Sequence, residues 1–430
     1  MDKRNRTGVY LTTKLVLDNP DYIKALVDGI GLNLAILGFS GQLPEDVLAK
    51  SPYDGVPLSD ECLHAIVAKH MDGEPVDPLE FDQVRGSVGP SVGGAGNDAD
   101  FRRSVDIARE AGCEVWICSG SWTLRRLMFC PSNEAVNDWY EAYYVHLATN
   151  AGVDGLDITH ARYPMISFPR GLLACACEDC SKSACELGFD MAAMRASISS
   201  GLDRLGSIDP ARLVTACKGG TGPLDFLQVL GGDSSIADWL RFRADLLARN
   251  VKRFRDAVHA AAGEDFVFGC DTYPASLSML VGHNHAHWAD FSDFASPLVS
   301  HVYQFVSLGL IELAQLLRGV HPSLSEEEAL RIIYTVTGYG GIGLPETEAG
   351  YNAHDPDALA ESIPLTEIIL HDLVKARLAL PEEIPSFPII HGEGWPKGDI
   401  VAIRDGVFET GHNGIMWQGT SELVTFDLKK

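Results

Sequence analysis

The sequence predicts an α/β fold, a single (β/α)8 TIM barrel with long insertions after strands 2, 4 and 6. Three observations carry that expectation. Short apolar runs alternate with amphipathic helical stretches, eight such runs can be placed in order, and no G-x-G-x-x-G turn follows the first of them, which disfavours a doubly wound sheet. The 430 residues contain no internal repeat and no linker-like boundary, and barrels of this kind run past about 250 residues as one unit when their loops are extended. Residues 1–430 therefore read as one domain.

Residues 7–13 (TGVYLTT) read as strand one. Asn19-Pro20 then supplies a cap and a first-turn proline, and Tyr22, Ile23, Leu26, Val27 and Ile30 form one helical stripe. Residues 32–39 are strand two. Residues 40–97 lack periodicity and are rich in Gly, Pro and Asp, so they read as an insertion over the barrel mouth that narrows the site to a pocket. A helix over 100–111 leads to strand three at 113–119 (CEVWICS). The helix over 133–151 carries Trp139, Tyr140, Tyr143 and Tyr144 on one face, which reads as core. Strand four spans 153–159. Helices follow over 191–205 and 236–262, with 213–217 between them as a short extra strand. Residues 266–271 and 297–303 (PLVSHVY) are strands five and six, and Ser325-x-x-Glu328 is a capping-box signal before a helix over 329–336. Residues 388–393 (PIIHGE) and 413–418 (NGIMWQ) complete the eight, with a helix over 398–404 between them.

Composition bounds the partners. With 34 basic and 59 acidic residues the net charge is -25, which repels phosphate backbones and anionic lipid surfaces. Neither nucleic acid nor a membrane is an expected partner; a homo-oligomer is compatible. Residues 1–17 hold no apolar signal region, and no run of about 18 apolar residues occurs later, so a cytoplasmic protein is expected.

Ten cysteines are too dilute for a disulfide scaffold. Cys62, Cys113, Cys118, Cys130, Cys217 and Cys270 are scattered and read as buried thiols. Cys175, Cys177, Cys180 and Cys185 instead crowd the turn after strand four, where they are candidate ligands for a structural zinc ion. The C-x-C-x-x-C spacing is tight for four ligands on one ion, which leaves three cysteines with a histidine, or free thiols, as alternatives. No cofactor is expected for catalysis.

The segment over 152–164, GVDGLDITHARYP, bears most on chemistry. Strand alternation sends Leu156 and Ile158 toward the helices and Gly155, Asp157 and Thr159 into the lumen. An acid there is costly unless used or paired. The plain alternative is a salt bridge from Asp157 to Arg162. On Asp154, Gly155, Leu156, Arg162, Tyr163 and Pro164, followed by Cys175, Cys177 and Cys180, the chain resembles a group of hypothetical glycosyl-hydrolase barrels. Their fourth strand reads like D-G-(I/L)-x-(L/F)-D-x-x-R-Y-P before a C-x-C-x-x-C turn. The resemblance implies a barrel glycosidase. Where those families carry a second aspartate this chain holds Thr159, with Asp157 two residues earlier and an unusual His160 after it.

Glycoside cleavage needs two carboxylates flanking the C1–O bond, one protonated and one ionised. The expected catalytic set is Glu393, in the H-G-E-G-W run ending strand seven, with Asp157 or Asp271 as its partner. A retaining enzyme would use Glu393 as nucleophile, a placement the resemblance favours. The expected substrate-binding set is His160, Arg162, Tyr163, Tyr273, His301, Tyr303, His391, Trp395, Trp417 and Glu422, its aromatic members offering flat faces to a pyranose ring. His283, His285 and His287 alternate and could meet one metal in an extended loop, but read more simply as surface histidines. The run over 338–343 (GYGGIG) follows a helix and has no lysine beside it, so it is not a phosphate cradle. The alternatives to a glycosidase are a metal-dependent sugar isomerase, epimerase or aldolase using His301, His391, Asp271 and Glu393, and a barrel that binds saccharide without turning it over.

Overall fold

Eight parallel strands form the wall of the barrel: β1 (Arg6–Leu11), β2 (Leu34–Gly38), β3 (Glu114–Gly120), β4 (Gly155–Thr159), β5 (Val267–Thr272), β6 (Ala295–Pro297), β7 (Ile389–His391) and β8 (Gly414–Gln418). The computed structural model describes residues 5–48, 97–124, 127–128, 130–163, 176–218, 234–351, 362–391, 395–419 and 423. Neighbouring strands follow chain order, β6-β5-β4-β3-β2-β1-β8-β7, as successive right-handed crossovers require. Among the described residues, only the β6–β7 seam lacks a full ladder. A single parallel bridge, Ala295 to Ser386, joins it, and the Ser300 hydroxyl stitches its upper end by donating to the Ile389 carbonyl at 2.9 Å and accepting from the His391 amide at 2.7 Å.

Strand parity separates two cores. Ala35, Leu37, Val115, Ile117, Leu156, Ile158, Phe268, Ile390, Ile415 and Trp417 face the helices. Leu34, Ile36, Trp116, Val267, Phe294, Phe387, Ile389 and Met416 fill the lumen. Two rings dominate that lumen, with Trp116 and Phe294 stacked at 4.7 Å. Glycines opposite them make the room: a Cβ on Gly155 would stand 2.8 Å from Trp116 and one on Gly269 2.5 Å from Phe294. At the N-terminal end a bidentate pair, Arg6 to Glu114 at 3.0 and 3.1 Å, closes the lumen, and Trp116 donates to the same carboxylate. The lumen is thus a packed core open to chemistry only at its C-terminal end.

Helices form where the local signals place them. Asn97 caps Asp98–Glu110, Asn133 caps Glu134–Asn150, and Ser325 and Glu328 make a reciprocal capping box on Glu326–Thr337. Trp139, Tyr140, Tyr143 and Tyr144 are core, as expected. No helix among the described residues is long and apolar enough to cross a membrane.

Two expectations fail. Residues 213–217 are helical, inside Pro210–Lys218, because Asp209 accepts from the Ala211 amide and Pro210 opens the first turn. Strand six is not 297–303 but Ala295–Pro297; beyond the proline the chain enters a π-helical turn, Val302–Ser307, leading into Leu308–Val320. The β-branched residues there imitate a strand, but they feed a helix that buries them. The connection from β5 to β6 holds only 3₁₀ turns, Ser278–Val281 and His285–Asp290. Most of the 40–97 insertion lies outside the described residues. Its two ends meet, since the Gln42 amide donates to Asp98 Oδ1 at 2.7 Å.

Candidate active site

The C-terminal ends of β1, β3, β4, β5, β7 and β8 bring polar side chains to one mouth. Tyr10, Cys118, Thr159, His160, His301, His391 and Gln418 are half-buried there, and Asp157, Asp271, Arg162 and Tyr273 lie buried among them.

Asp157 lies deepest. Its register partner on β3 is Cys118, and its carboxyl accepts from Tyr10 Oη at 2.5 Å and from Ser296 Oγ at 3.4 Å. Burial is the main cause that pushes its pKa up to about 7; Asp271 nearby adds to the rise and the two hydroxyls oppose it. The alternative of a salt bridge to Arg162 is not what forms. Arg162 serves Asp271 instead, where its charge counters the rise that burial imposes on that carboxyl.

Asp271 stands nearer the mouth, ending β5. Its Oδ2 accepts from Thr159 Oγ1 at 2.6 Å, the His160 backbone also favours its charged form, and buried Oδ1 has no well-formed hydrogen bond among the described residues. Thr159, which replaces the aspartate of the resembling families, is therefore the residue that orients the acid of the next strand.

His160 has a positive φ of 63°, a conformation that costs a non-glycine residue about 1–3 kcal/mol. The kink turns the chain out of β4 and leaves the His160 Nδ1 at 3.0 Å from Thr159 Oγ1. It also sets Arg162 over the Tyr273 ring at 5.3 Å. His283 fixes the turn from behind. It accepts from the Tyr273 amide at 3.0 Å and donates to the Ala161 carbonyl at 2.9 Å, tying the β4 and β5 ends together. His283 and His285 are buried and only His287 is exposed, so the surface reading of this trio is corrected, as is any shared metal: a 3₁₀ turn, not an extended loop, carries the last two.

His301 and His391 meet edge to face, ring centres 5.4 Å apart. Burial pushes His160 and His301 down to about 3, with Arg162 contributing to both, so at neutral pH they are uncharged hydrogen-bonding groups. Gln418 hydrogen-bonds His301 from β8.

Of the expected substrate-binding residues, His160, Arg162, Tyr273, His301 and His391 gather at this mouth. Three others are placed elsewhere. Trp417 has the helix-facing parity of β8, Tyr163 is fully buried under Arg243 at 4.0 Å, and Trp395 packs against the helix-facing core. Glu393, Glu422, Cys175 and the side chain of Tyr303 lie outside the described residues. The residues not anticipated are Tyr10, Ser296 and Gln418. Tyr10 and Gln418 share the lumen parity of Gly8 and Met416, a signal present in the sequence.

Among the described residues, the one group of His, Cys, Asp or Glu arranged to hold a metal ion is Cys130, Cys177 and Cys180. His301, His391 and Asp271 do not form one. Cys130, expected as an isolated buried thiol, joins the cluster, whereas Cys185 is exposed at the far end of its helix.

No protein-family model and no curated protein matches the sequence. Among solved structures, the chain is similar to the catalytic domain of a beta-amylase from Paenibacillus polymyxa, at 9% identity and a TM-score of 0.46, over 99% of this chain and 95% of that one. It is also similar to a beta-glucosidase, at 9% identity and a TM-score of 0.39 over 94% and 77%, and to alpha-L-fucosidase isoenzyme 2 from Paenibacillus thiaminolyticus, at 10% identity and 0.31 over 99% and 66%. At such scores the chemistry rests on the side chains at the mouth.

Proposed function

We propose that this barrel is a glycoside hydrolase that cleaves a short saccharide or glycoside with two carboxyl groups. The observation that carries the reading is Asp271: a buried carboxyl at the mouth, fixed through one oxygen by Thr159, with the other oxygen buried and lacking a well-formed hydrogen bond among the described residues. Burial raises the Asp271 pKa while Arg162, Thr159 and the His160 backbone oppose the rise, and a carboxyl so shifted holds its proton more tightly than a free one and can pass it to a leaving-group oxygen. Glu393, two residues past His391 in the chain, is assigned the ionised partner that attacks or activates water from the other side of the sugar. Neutral His160 and His301, together with His391 and Gln418, offer donors and acceptors to sugar hydroxyls. Asp157 has both oxygens engaged, so it is assigned the role of positioning Tyr10 beneath the substrate. Residues 40–97, most of which lie outside the described residues, are assigned to the same domain as a cover for the mouth; their two ends meet through Gln42 and Asp98.

The test is release of sugar from a panel of nitrophenyl glycosides and oligosaccharides, with and without brief exposure to chelator. Chelator-resistant release that is lost in Glu393→Gln is the expected result. Chelator-sensitive turnover of free sugars would replace this reading by an isomerase or aldolase, and saccharide binding without turnover would replace it by a binding protein.

A further inference from the structure

Three sulfurs from two separate loops converge beside the barrel. Cys130 Sγ lies 3.5 Å from Cys177 Sγ and 3.5 Å from Cys180 Sγ, and all three sulfurs fall within 4.8 Å of one another. Zinc held by thiolates at about 2.3 Å in a tetrahedron spaces its sulfurs by about 3.8 Å. The two separations from Cys130 stand within a few tenths of an ångström of that geometry, although Cys130 is 47 residues from Cys177 in the chain.

The surroundings are built to hold this arrangement. Cys177 is the cap and Cys180 lies in the first turn of the helix Glu178–Glu186, so both sit at its positive end, where thiolates are favoured. The loop bearing Cys130 is fixed by two asparagines, Asn137 and Asn250, which both donate to the Pro131 carbonyl, and by the Asn133 amide, which donates to the Cys130 carbonyl at 3.0 Å. Ser132 Oγ donates to Cys180 Sγ at 3.4 Å. Cys130 and Cys180 are buried in an apolar cluster with Ala184, Met191, Met194, Trp239, Phe242 and Leu246, and Cys177 packs against it. Three thiols cannot all be satisfied by one disulfide, whereas one ion takes all three.

We infer that Cys130, Cys177 and Cys180 are thiolate ligands of one zinc ion that fastens the loop after β3 to the helix after β4. On binding, each thiol gives its proton to solvent and its sulfur lone pair to the metal; no electron transfer is involved. Those loops border the mouth on adjacent strands, so the ion is a staple for the wall of the site and stands apart from the reaction.

The full-length protein purified without chelator should contain about one zinc per chain by elemental analysis. Titration with p-mercuribenzoate should release it to a colorimetric metal indicator. Replacing zinc by cobalt should give thiolate charge-transfer absorption in the near ultraviolet. Cys130→Ser and Cys180→Ser should each lose the ion and that band, and Cys185→Ser should keep both. Where a variant fails to fold, mercurial release from the unaltered protein decides alone. Absence of zinc with all three thiols titrating freely, a disulfide detected as a loss of about 2 Da, or full zinc retention by a folded Cys130→Ser would each overturn the inference.

Discussion

Asp157 and Asp271 show how far the surroundings of two acids on adjacent strands can diverge. Asp157 was legible as a lumen acid from alternation along β4, and Asp271 as an acid at the C-terminal end of β5. Their partners were not. Nothing in the spacing tells that Tyr10, 147 residues away, closes over Asp157, or that Arg162 turns to Asp271. Barrel closure alone makes β1 the neighbour of that chemistry. The raised pKa of Asp157 carries a consequence for stability. A carboxyl whose folded pKa exceeds its unfolded value of about 4 keeps its proton in the folded state, so its stabilisation is full below about pH 4 and is lost as pH rises to about 7. Asn cannot lose that proton, so Asp157→Asn should flatten this decline and raise the unfolding free energy at pH 8, by about 1.4 kcal/mol for each pKa unit removed. Asp372, also pushed up to about 7 by burial, should leave part of the decline in place. Urea titrations from pH 4 to 8 would check it.

Among the elements, strands with a helix-facing apolar side and a lumen side were legible from the sequence, and β6 was not. Only three residues pair there, and the longer PLVSHVY run that follows satisfies the pattern of a strand while folding as a π-turn and helix. The price of so short a strand is met by Ser300, whose hydroxyl replaces ladder bonds to β7. Ser300→Ala should remove the hydrogen bond to the part-buried His391 amide and lower stability by about 1 kcal/mol, read as a drop in denaturation midpoint, and should raise KM through the displaced His391. On β4, Gly155→Ala would drive a methyl into Trp116 and into the Val267 carbonyl, 2.9 Å away, which cannot move. A loss of about 1–3 kcal/mol is expected there, whereas Gly38→Ala, with open space around it, should cost less.

For the whole molecule, the barrel was legible because βα alternation repeats along the chain, and the cysteine cluster was legible in two of its three members. Chain proximity found Cys177 and Cys180; it could not find Cys130, which only folding brings near. Trp395 and Trp417 were misplaced for a related reason, since aromatic residues near strand ends serve the helix layer as readily as the mouth. The central claim, a glycosidase whose acid is Asp271, is tested most directly by the kcat of Asp271→Asn beside that of Asp157→Asn on one cleavable glycoside, with circular dichroism confirming both folds. The account predicts that Asp271→Asn loses about three orders of magnitude or more, while Asp157→Asn keeps measurable turnover. Near-normal turnover in Asp271→Asn, with activity abolished in Asp157→Asn, would contradict it.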